Sequence, residues 1–379
     1  MSASAQPSAS ASPLQQAIVA LANRQSLSER QTTEVFGAVM RGEATPAQIG
    51  ALLMGLRVKG ETPDEVAGAA RALREAMVRV EAHGGHGAQG AGEMHLVDTC
   101  GTGGGAVSTF NISTAAAFVA AGAGASVAKH GNRSFTSRCG SADVIEALGV
   151  RIDVDAAEAA RVLRDACVTF LFAPNFHPAM KHAGPVRREL GVPSVMNLLG
   201  PLANPAGVRR QVVGVADRDR APLVAGALAR LDAEHALVVH GRIGMDEISP
   251  QGITDVWEVR DGRITTWELD PSRHRLAISD VGALRGEDPA ANAQRIERLL
   301  ADGGAGGAGG DGAGWGDGGS RGDAPGVAAV LLNAAAAVYV AGLAASYEEG
   351  LTRARDALAA GKGREALERL RRVSPRTSG

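Results

Sequence analysis

From about residue 94 onwards, short apolar runs alternate with stretches of helical periodicity, and this alternation limits the possible folds more than any other feature of the chain. Strands are predicted at 95–97, 125–128, 151–154, 168–173, 211–215 and 236–241. Helices are predicted between several of them, at 114–121, 141–148, 156–166 and 222–231. Such β-α alternation is typical of a largely parallel sheet covered by helices. A β-hairpin is predicted at 256–269, where alternating residues flank Asp261-Gly262.

The part before this, from Leu14 to about Glu81, carries helix signals with no strand between them. Ser28 and Gln31 form a capping-box pattern ahead of an apolar stretch. Thr45-Pro46 and Thr62-Pro63 each combine an N-cap residue with proline at the first helical position. We therefore expect a small all-α unit in this part of the chain.

Together these patterns predict an α/β protein with a small all-α N-terminal domain and a larger α/β domain with a mostly parallel central sheet. We expect a disordered tail at 1–13, a helical domain at 14–93 joined by a segment near 184–206, and the α/β domain at 94–379. The glycine-dominated residues 303–326 cannot build a packed core, so we interpret them as a flexible insertion.

Composition and charge exclude several classes of protein. The 379 residues carry a formal net charge of −2, so bulk attraction to nucleic acid or to an anionic membrane is not expected. The three cysteines show no paired or metal-ligand spacing, which suits a reducing compartment. The N-terminal residues lack the features of a signal peptide, and no apolar run is long enough to cross a bilayer. We expect a soluble, cytoplasmic protein.

The stretch Asp98–Thr114, DTCGTGGGAVSTFNIST, lies between a predicted strand and an apolar helix. Its glycines let backbone N–H groups converge on one point, and the helix N-terminus adds partial positive charge. Hydroxyl and amide side chains from Thr109 to Thr114 add further donors. The stretch predicts an uncharged cradle for phosphate or pyrophosphate, with a tight turn and an ordinary helix cap as the alternative. It matches neither a Walker A loop nor the dinucleotide fingerprint.

A second polar loop, Lys129–Asp143, follows the predicted strand 125–128. Ligands of α/β folds bind where strands end, and Lys129 and Arg133 both suit a phosphate. Gly131 would allow close backbone approach. Because two anion-suited loops follow successive strands, we expect them to lie side by side; a solvated basic loop is the alternative.

Two further segments carry charged side chains suited to ligands. Arg187 and Arg188 lie on or beside a predicted helix, and a planar guanidinium suits a carboxylate, although one or both could be surface residues. Asp246 and Glu247 follow the predicted strand 236–241. An acidic pair at the end of a strand can hold Mg²⁺, which prefers oxygen ligands, but such a pair is usually only solvated.

Four motifs, KHGNR, GSADVIEALG, NLLGPLANP and GMDEIS, occur in this order. Through them, and from about Leu14 to Val373, the chain resembles the anthranilate phosphoribosyltransferases of tryptophan biosynthesis. The resemblance implies a small helical domain and a larger α/β domain with the active site between them, a homodimer and Mg²⁺. It implies transfer of a phosphoribosyl group to the amine of anthranilate with release of pyrophosphate. No nucleic-acid or membrane partner is expected.

The resemblance also implies roles for individual residues. The phosphoribosyl pyrophosphate site would comprise Gly101, Gly104, Gly105, Thr109, Asn111, Ile112, Ser113, Thr114, Lys129, His130, Gly131, Asn132, Arg133, Ser134, Phe135, Thr136, Ser137 and Ser141. Anthranilate would contact Gly101, Asn132, His177 and Arg187, and the metal would bind at Ser113, Asp246 and Glu247. The expected catalytic residues are Lys129, His130 and His177.

The chain departs from the family pattern at one position of the glycine-rich loop. The family usually has Gly-Thr-Gly-Gly-Asp-Gly, whereas this chain has glycine at position 105 and Ala106 after it. We expect altered Mg²⁺ dependence. Three alternatives remain: a pyrimidine nucleoside phosphorylase, which KHGN and NLLGPLANP disfavour; a related protein that binds nucleic acid without transferase activity; and a purely structural paralogue.

Overall fold

The computed structural model describes residues 11–81, 96–134, 138–302 and 323–374. The predictions made for residues 1–10, for the end of the helical domain at 82–93, and for residues 303–322 lie outside the described residues. The same holds for Phe135, Thr136 and Ser137 of the predicted phosphoribosyl pyrophosphate site.

The chain begins with four helices, α1 (Pro13–Ala22), α2 (Glu29–Met40), α3 (Pro46–Lys59) and α4 (Pro63–Ala76). Each starts with a capping box, in which a serine or threonine and the residue three positions on satisfy each other's backbone N–H. The start signals predicted at Ser28, Thr45 and Thr62 are confirmed. Helix α3 ends at Gly60, whose φ of 90° disfavours any residue with a side chain.

In the described ranges, seven strands form a single sheet. They are β1 (Leu96–Gly101), β2 (Ser126–Gly131), β3 (Val168–Phe172), β4 (Arg210–Gly214), β5 (His235–Gly241), β6 (Thr254–Arg260) and β7 (Arg263–Leu269). The spatial order is β3-β2-β1-β4-β5-β6-β7. The first five strands run parallel, and β6 and β7 form the antiparallel hairpin. The mostly parallel sheet and the hairpin are confirmed.

Eleven further helices accompany the strands in the described residues. They are α5 (Ile112–Gly122), α6 (Ser141–Ala147), α7 (Ala156–Ala166), α8 (Ala173–Phe176), α9 (Met180–Leu190), α10 (Met196–Leu202), α11 (Ala221–Arg230), α12 (Pro289–Asp302), α13 (Ala324–Val340), α14 (Tyr347–Ala359) and α15 (Lys362–Val373). No helix in the described ranges is long and apolar enough to span a membrane.

Three sequence-based predictions need correction. The disordered tail predicted at 1–13 extends too far, because α1 begins at Pro13 and Ser12 caps it. Residues 151–154 are not a strand: the backbone N–H of Arg151 donates to the carbonyl of Ser374 at 3.0 Å, and Ile152 and Val154 are buried without strand pairing. The predicted insertion at 303–326 extends too far, because α13 already begins at Ala324. Asp323 caps that helix by accepting the N–H of Gly326 at 2.9 Å.

The hydrophobic core has two large clusters of buried side chains. One surrounds α5 and α13, which lie on the sheet, and includes most of the apolar residues of α13. The other combines α1–α4 with apolar residues of α9, α10 and α11, such as Val186, Leu199 and Leu228. Helices α9 and α10 come from the middle of the chain but share a core with the N-terminal helices. They therefore connect these helices to the edge of the sheet where the strands end.

Candidate active site

The glycine-rich loop leaves the carboxyl end of β1 and leads into α5. Its two ends are anchored: Thr102 donates its N–H to the carbonyl of Gly214 at 2.8 Å, and Ala106 donates to the carbonyl of Gly244 at 2.9 Å. Gly103 and Gly104 have φ values of 66° and 82°, a region that disfavours side chains. The loop is thus held against the ends of β4 and β5, at the edge of the sheet where ligands of α/β folds bind.

Lys129 lies near the end of β2 and is 3% exposed. Its ammonium donates to the carbonyl of Thr99 and to the hydroxyl of Ser113, the latter at 3.1 Å. Ser113 stands in the first turn of α5, and its backbone N–H donates to Oε1 of Glu247 at 3.2 Å. The structure therefore brings together Lys129, Ser113 and Glu247, which the sequence places in three separate motifs.

Burial dominates the electrostatics of these groups. It lowers the pKa of the Lys129 ammonium, while the carboxylates of Asp98 and Glu247 favour its charged form. Burial, and next the charge of Asp246, raise the pKa of Glu247 to about 7, and burial raises the pKa of Asp246. Two adjacent buried acids resist joint ionisation, and a divalent cation would favour their charged forms.

The donor set fits a hard cation such as Mg²⁺, because it offers two carboxylates and the Ser113 hydroxyl. No group of three or more His, Cys, Asp or Glu side chains with the spacing of a metal site occurs in the described ranges. A cation at Asp246 and Glu247 would thus complete its shell with hydroxyl, water or substrate oxygens, which is the usual arrangement for Mg²⁺.

His130 and His177 lie together, with ring centroids 5.1 Å apart. Nδ1 of His130 is 3.1 Å from the carbonyl oxygen of Gly200. Burial, followed by the neighbouring His177, lowers the pKa of His130 to about 3, and burial lowers the pKa of His177 to about 4. Both rings are therefore neutral at physiological pH. They can exchange hydrogen bonds with a substrate, but they are weak bases and carry no charge.

Several groups of the second predicted anion loop, Lys129–Asp143, already contact other parts of the protein. Arg133 forms ion pairs with Asp143 at 2.8 Å and Glu146 at 2.5 Å, both on α6, so its guanidinium is neutralised from within the chain. The close approach at Gly131 is to protein, because a Cβ there would lie 2.1 Å from Oγ of Ser141. That hydroxyl also donates to the carbonyl of Asn132 at 3.3 Å. Ser134 also takes part in this loop, with its N–H 3.4 Å from Asp143.

Four predicted residues of the first loop have backbone or side-chain contacts within the protein or are buried in it. The backbone of Thr109 forms an isolated β-bridge with Arg285, and the amide of Asn111 accepts from Asn292 at 3.1 Å. Ile112 and Thr114 are buried in the first turn of α5. Any contact of the last two with a ligand would have to come from the backbone.

Arg187 lies on α9 and is half-buried, whereas its neighbour Arg188 is exposed. Burial lowers the pKa of Arg187. In the described part of the chain Arg187 forms no ion pair, which leaves its guanidinium available to a carboxylate. Since α9 shares a core with α1–α4, this arginine belongs to the helical side of the molecule.

Two polar residues that the sequence analysis did not single out support the site. Asn333, buried in α13, accepts the N–H of Ile248 at 3.0 Å and donates to its carbonyl at 2.9 Å, which fixes the backbone next to Glu247. Thr99 donates its hydroxyl to the carbonyl of Ser113 at 3.1 Å. The signal for Asn333 was present, since it is a polar residue within a long apolar helix.

Comparisons with known proteins agree with this geometry. A model of the helical bundle domain of a glycosyl transferase family matches residues 15–77, and a model of the a/b domain of a glycosyl transferase family matches residues 93–364. A relative from Thioalkalivibrio sulfidiphilus, named anthranilate phosphoribosyltransferase, is 46% identical over 94% of this chain and 97% of its own.

The chain belongs to the anthranilate phosphoribosyltransferase family. The resemblance seen in the sequence is confirmed, and with it the enzyme class, a transferase of pentosyl groups.

Solved structures of anthranilate phosphoribosyltransferases confirm the fold. The enzyme from Thermus thermophilus superposes with a TM-score of 0.81 at 39% identity, over 94% of this chain and 98% of the other. The enzyme from Saccharomyces cerevisiae, solved in complex with phosphoribosyl pyrophosphate (PRPP) and Mg, has a TM-score of 0.81 at 26% identity, over 95% and 97%. The comparisons support this family and neither the phosphorylase nor the nucleic-acid alternative.

Proposed function

We propose that this protein transfers the phosphoribosyl group of PRPP to the amine of anthranilate in tryptophan biosynthesis. The bond between C1 of the ribose and the pyrophosphate oxygen breaks, and a bond from the anthranilate nitrogen to C1 forms. The products are N-(5-phosphoribosyl)anthranilate, pyrophosphate and the proton lost by the amine. The observation that carries this proposal is the contact of Lys129, Ser113 and Glu247 beside the glycine-rich loop.

Catalysis by these residues rests on positioning and charge. The pyrophosphate gains negative charge as it leaves, and the Lys129 ammonium and the loop N–H groups would bind it. Because Lys129 is held by Thr99 and Ser113, it needs little reorganisation as that charge develops. When Mg²⁺ is bound, Asp246, Glu247 and Ser113 would hold it, and it would neutralise the pyrophosphate.

We propose that anthranilate meets Gly101, Asn132, His177 and Arg187, and that Arg187 pairs with its carboxylate. The absence of an ion pair to the Arg187 guanidinium among the described residues supports this role. An aromatic amine is only weakly basic, so its proton becomes acidic once the bond to C1 has formed and needs no strong base. Neutral His130 and His177, with low pKa values, are adequate hydrogen-bond acceptors for this step.

We further propose the remaining site residues as ligands of PRPP, through side chains or backbone, and place the domains at 14–93 and 94–379. For the phosphate contact of Arg133, its ion pairs to α6 would have to rearrange. We also propose a homodimer, which light scattering on the purified protein would test. We propose a cytoplasmic location, because the sparse, odd number of cysteines suits a reducing compartment.

The test of the function is the fluorescence of anthranilate, followed after addition of PRPP and Mg²⁺. We expect a decrease in fluorescence that requires both PRPP and the protein, with pyrophosphate released in equal amount. Absence of turnover would refute the proposal. Absence of turnover together with salt-sensitive binding of DNA would favour the nucleic-acid alternative.

A further inference from the structure

The backbone ladder between β1 and β2 has a gap at the end where the candidate active site lies. In the described part of the two strands, parallel pairing is confined to Leu96–Ser126 and Val97–Val127. In contrast, β1 remains paired with β4 from Asp98 to Gly101. The backbone groups that face the gap between β1 and β2 therefore need other partners.

The side chain of Asp98 crosses this gap. Its carboxylate is fully buried, and Oδ1 accepts the backbone N–H of His130 at 3.1 Å. Oδ2 accepts from Nδ2 of Asn204 at 2.8 Å. In the opposite direction, Lys129 of β2 donates to the carbonyl of Thr99 in β1. Two side chains thus replace the missing backbone ladder, and each of them bonds to the other strand.

Asn204, in the segment that follows α10, bonds to both strands. Nδ2 of this buried amide also donates to the carbonyl of Ala128 in β2 at 2.8 Å, and Oδ1 accepts the N–H of Ala206 at 2.9 Å. Both of its N–H groups and its oxygen are in use, so the side chain can take only one orientation. Asn204 ties β1, β2 and its own segment together.

The residues held in this way are two of those proposed to act on the substrate. The backbone N–H of His130 donates to Asp98, and Nδ1 of its ring lies 3.1 Å from the carbonyl oxygen of Gly200 in α10, the helix just before Asn204. Lys129 precedes His130 in the strand. A buried carboxylate is costly unless it is fully hydrogen-bonded, and here both of its oxygens have partners.

We infer that Asp98 and Asn204 are positioning residues for the phosphoribosyl transfer, which set the spacing of β1 and β2 and with it the placement of Lys129 and His130. The inference rests on the proposed function. Neither residue needs to touch a substrate. Displacement of a catalytic group by about 1 Å can lower a rate by about 100-fold, so we expect their loss to lower kcat more than it changes KM.

The test uses Asp98→Asn, Asn204→Asp and the double variant in the full-length protein. In Asp98→Asn, the new amide NH2 must face another donor, either the N–H of His130 or Nδ2 of Asn204. In Asn204→Asp, the new carboxylate lies against the carboxylate of Asp98, and the two repel each other. We expect each single variant to lose about 30-fold or more in kcat, with both KM values within about threefold. The double variant restores one donor facing one acceptor, and we expect it to recover at least about tenfold over the worse single variant.

Rates are expressed per folded site, counted by calorimetric titration with PRPP. Glu258→Gln is the control, because Glu258 is also a carboxylate held by hydrogen bonds, to His235, Tyr339 and Trp267. It is half-buried and lies on β6, three strands away from β1 in the sheet. We expect this variant to lose thermal stability and to keep its kcat per folded site. A merely structural role for Asp98 would give the same pattern as this control.

The inference is overturned if kcat per folded site stays within threefold of wild type in both single variants, or if the double variant is no better than either. Should Asp98→Asn yield no folded protein, Asn204→Ala takes its place, since it removes the bond to Asp98 without adding a charge. A loss below about threefold in kcat for that variant also overturns it. Absence of turnover by the wild-type protein refutes the proposed function instead, so the two failures are distinguishable.

Discussion

The ammonium of Lys129 donates to the hydroxyl of Ser113 at 3.1 Å. The backbone N–H of the same serine donates to Glu247 at 3.2 Å. One residue at the start of α5 therefore links the buried cation of the candidate site to its acidic pair. A substitution at Lys129 should therefore also affect the acidic pair, and a substitution at the acidic pair should affect Lys129.

Lys129→Met should lower kcat by about 100- to 1,000-fold, because it removes a pre-oriented charge from the leaving pyrophosphate. Steady-state kinetics with the anthranilate fluorescence assay measures this. Lys362→Met is the control, since Lys362 is exposed on α15 and forms an ion pair with Glu365 on the same helix. A loss of less than about threefold in Lys129→Met would contradict the role of this lysine.

Arg187→Met should raise KM for anthranilate by about tenfold or more, because a hydrogen-bonded charge contact contributes about 1.5–3 kcal/mol. KM for PRPP should change little. The neighbouring Arg188→Met is the matched control, as Arg188 is exposed on the same helix. Equal effects of the two variants on KM for anthranilate would show that Arg187 is not a specific ligand.

Gly105→Asp should alter the Mg²⁺ dependence of the reaction. The Cβ of a side chain at this position would lie 2.8 Å from Oδ1 of Asp246, so the Asp246 carboxylate must move and a further carboxylate would join it. We expect half-maximal activity at a lower Mg²⁺ concentration, because an added negative charge attracts the cation. Gly105→Asn has the same shape without the charge. Identical Mg²⁺ titrations of wild type and Gly105→Asp would refute the hypothesis.

The buried histidines should make the protein sensitive to acid. The pKa of His177 is about 4 in the folded protein and that of His130 about 3, both below the ordinary value of 6.5. Below pH 6.5 these histidines bind protons in the unfolded chain but remain neutral in the folded protein. Their contribution to the free energy of unfolding is therefore fully present above pH 6.5 and is lost as the pH falls towards 4. For His177 the loss amounts to about 3 kcal/mol.

Urea unfolding of metal-free wild type and His177→Asn between pH 8 and pH 4.5 measures this loss. The variant should lose less free energy of unfolding than wild type as the pH falls, and the gap between the two should narrow accordingly. Glu247, with its pKa raised to about 7, contributes stability that is lost as the pH rises, but it does so in both proteins and cancels in the difference. Parallel pH profiles would contradict the prediction.

Structural features formed by residues that are close together in the sequence could be predicted from the sequence. The capping boxes at Ser28, Thr45 and Thr62 are formed by residues three positions apart, so the sequence pattern contains both partners. The same holds for the turn at Asp261-Gly262. The strand predicted at 151–154 was wrong because burial of alternate residues also arises where a loop packs against a helix end.

The sequence by itself determined the family, the β-α alternation and the polar loops at the strand ends, because these features are local and periodic. Only the tertiary structure decided which polar groups meet. It paired Arg133 with α6, left Arg187 without an ion pair among the described residues, and brought Ser113 between Lys129 and Glu247. It also placed Asp98 across the gap between β1 and β2. A long polar side chain can reach many partners, and only the packing of the helices on the sheet selects one of them.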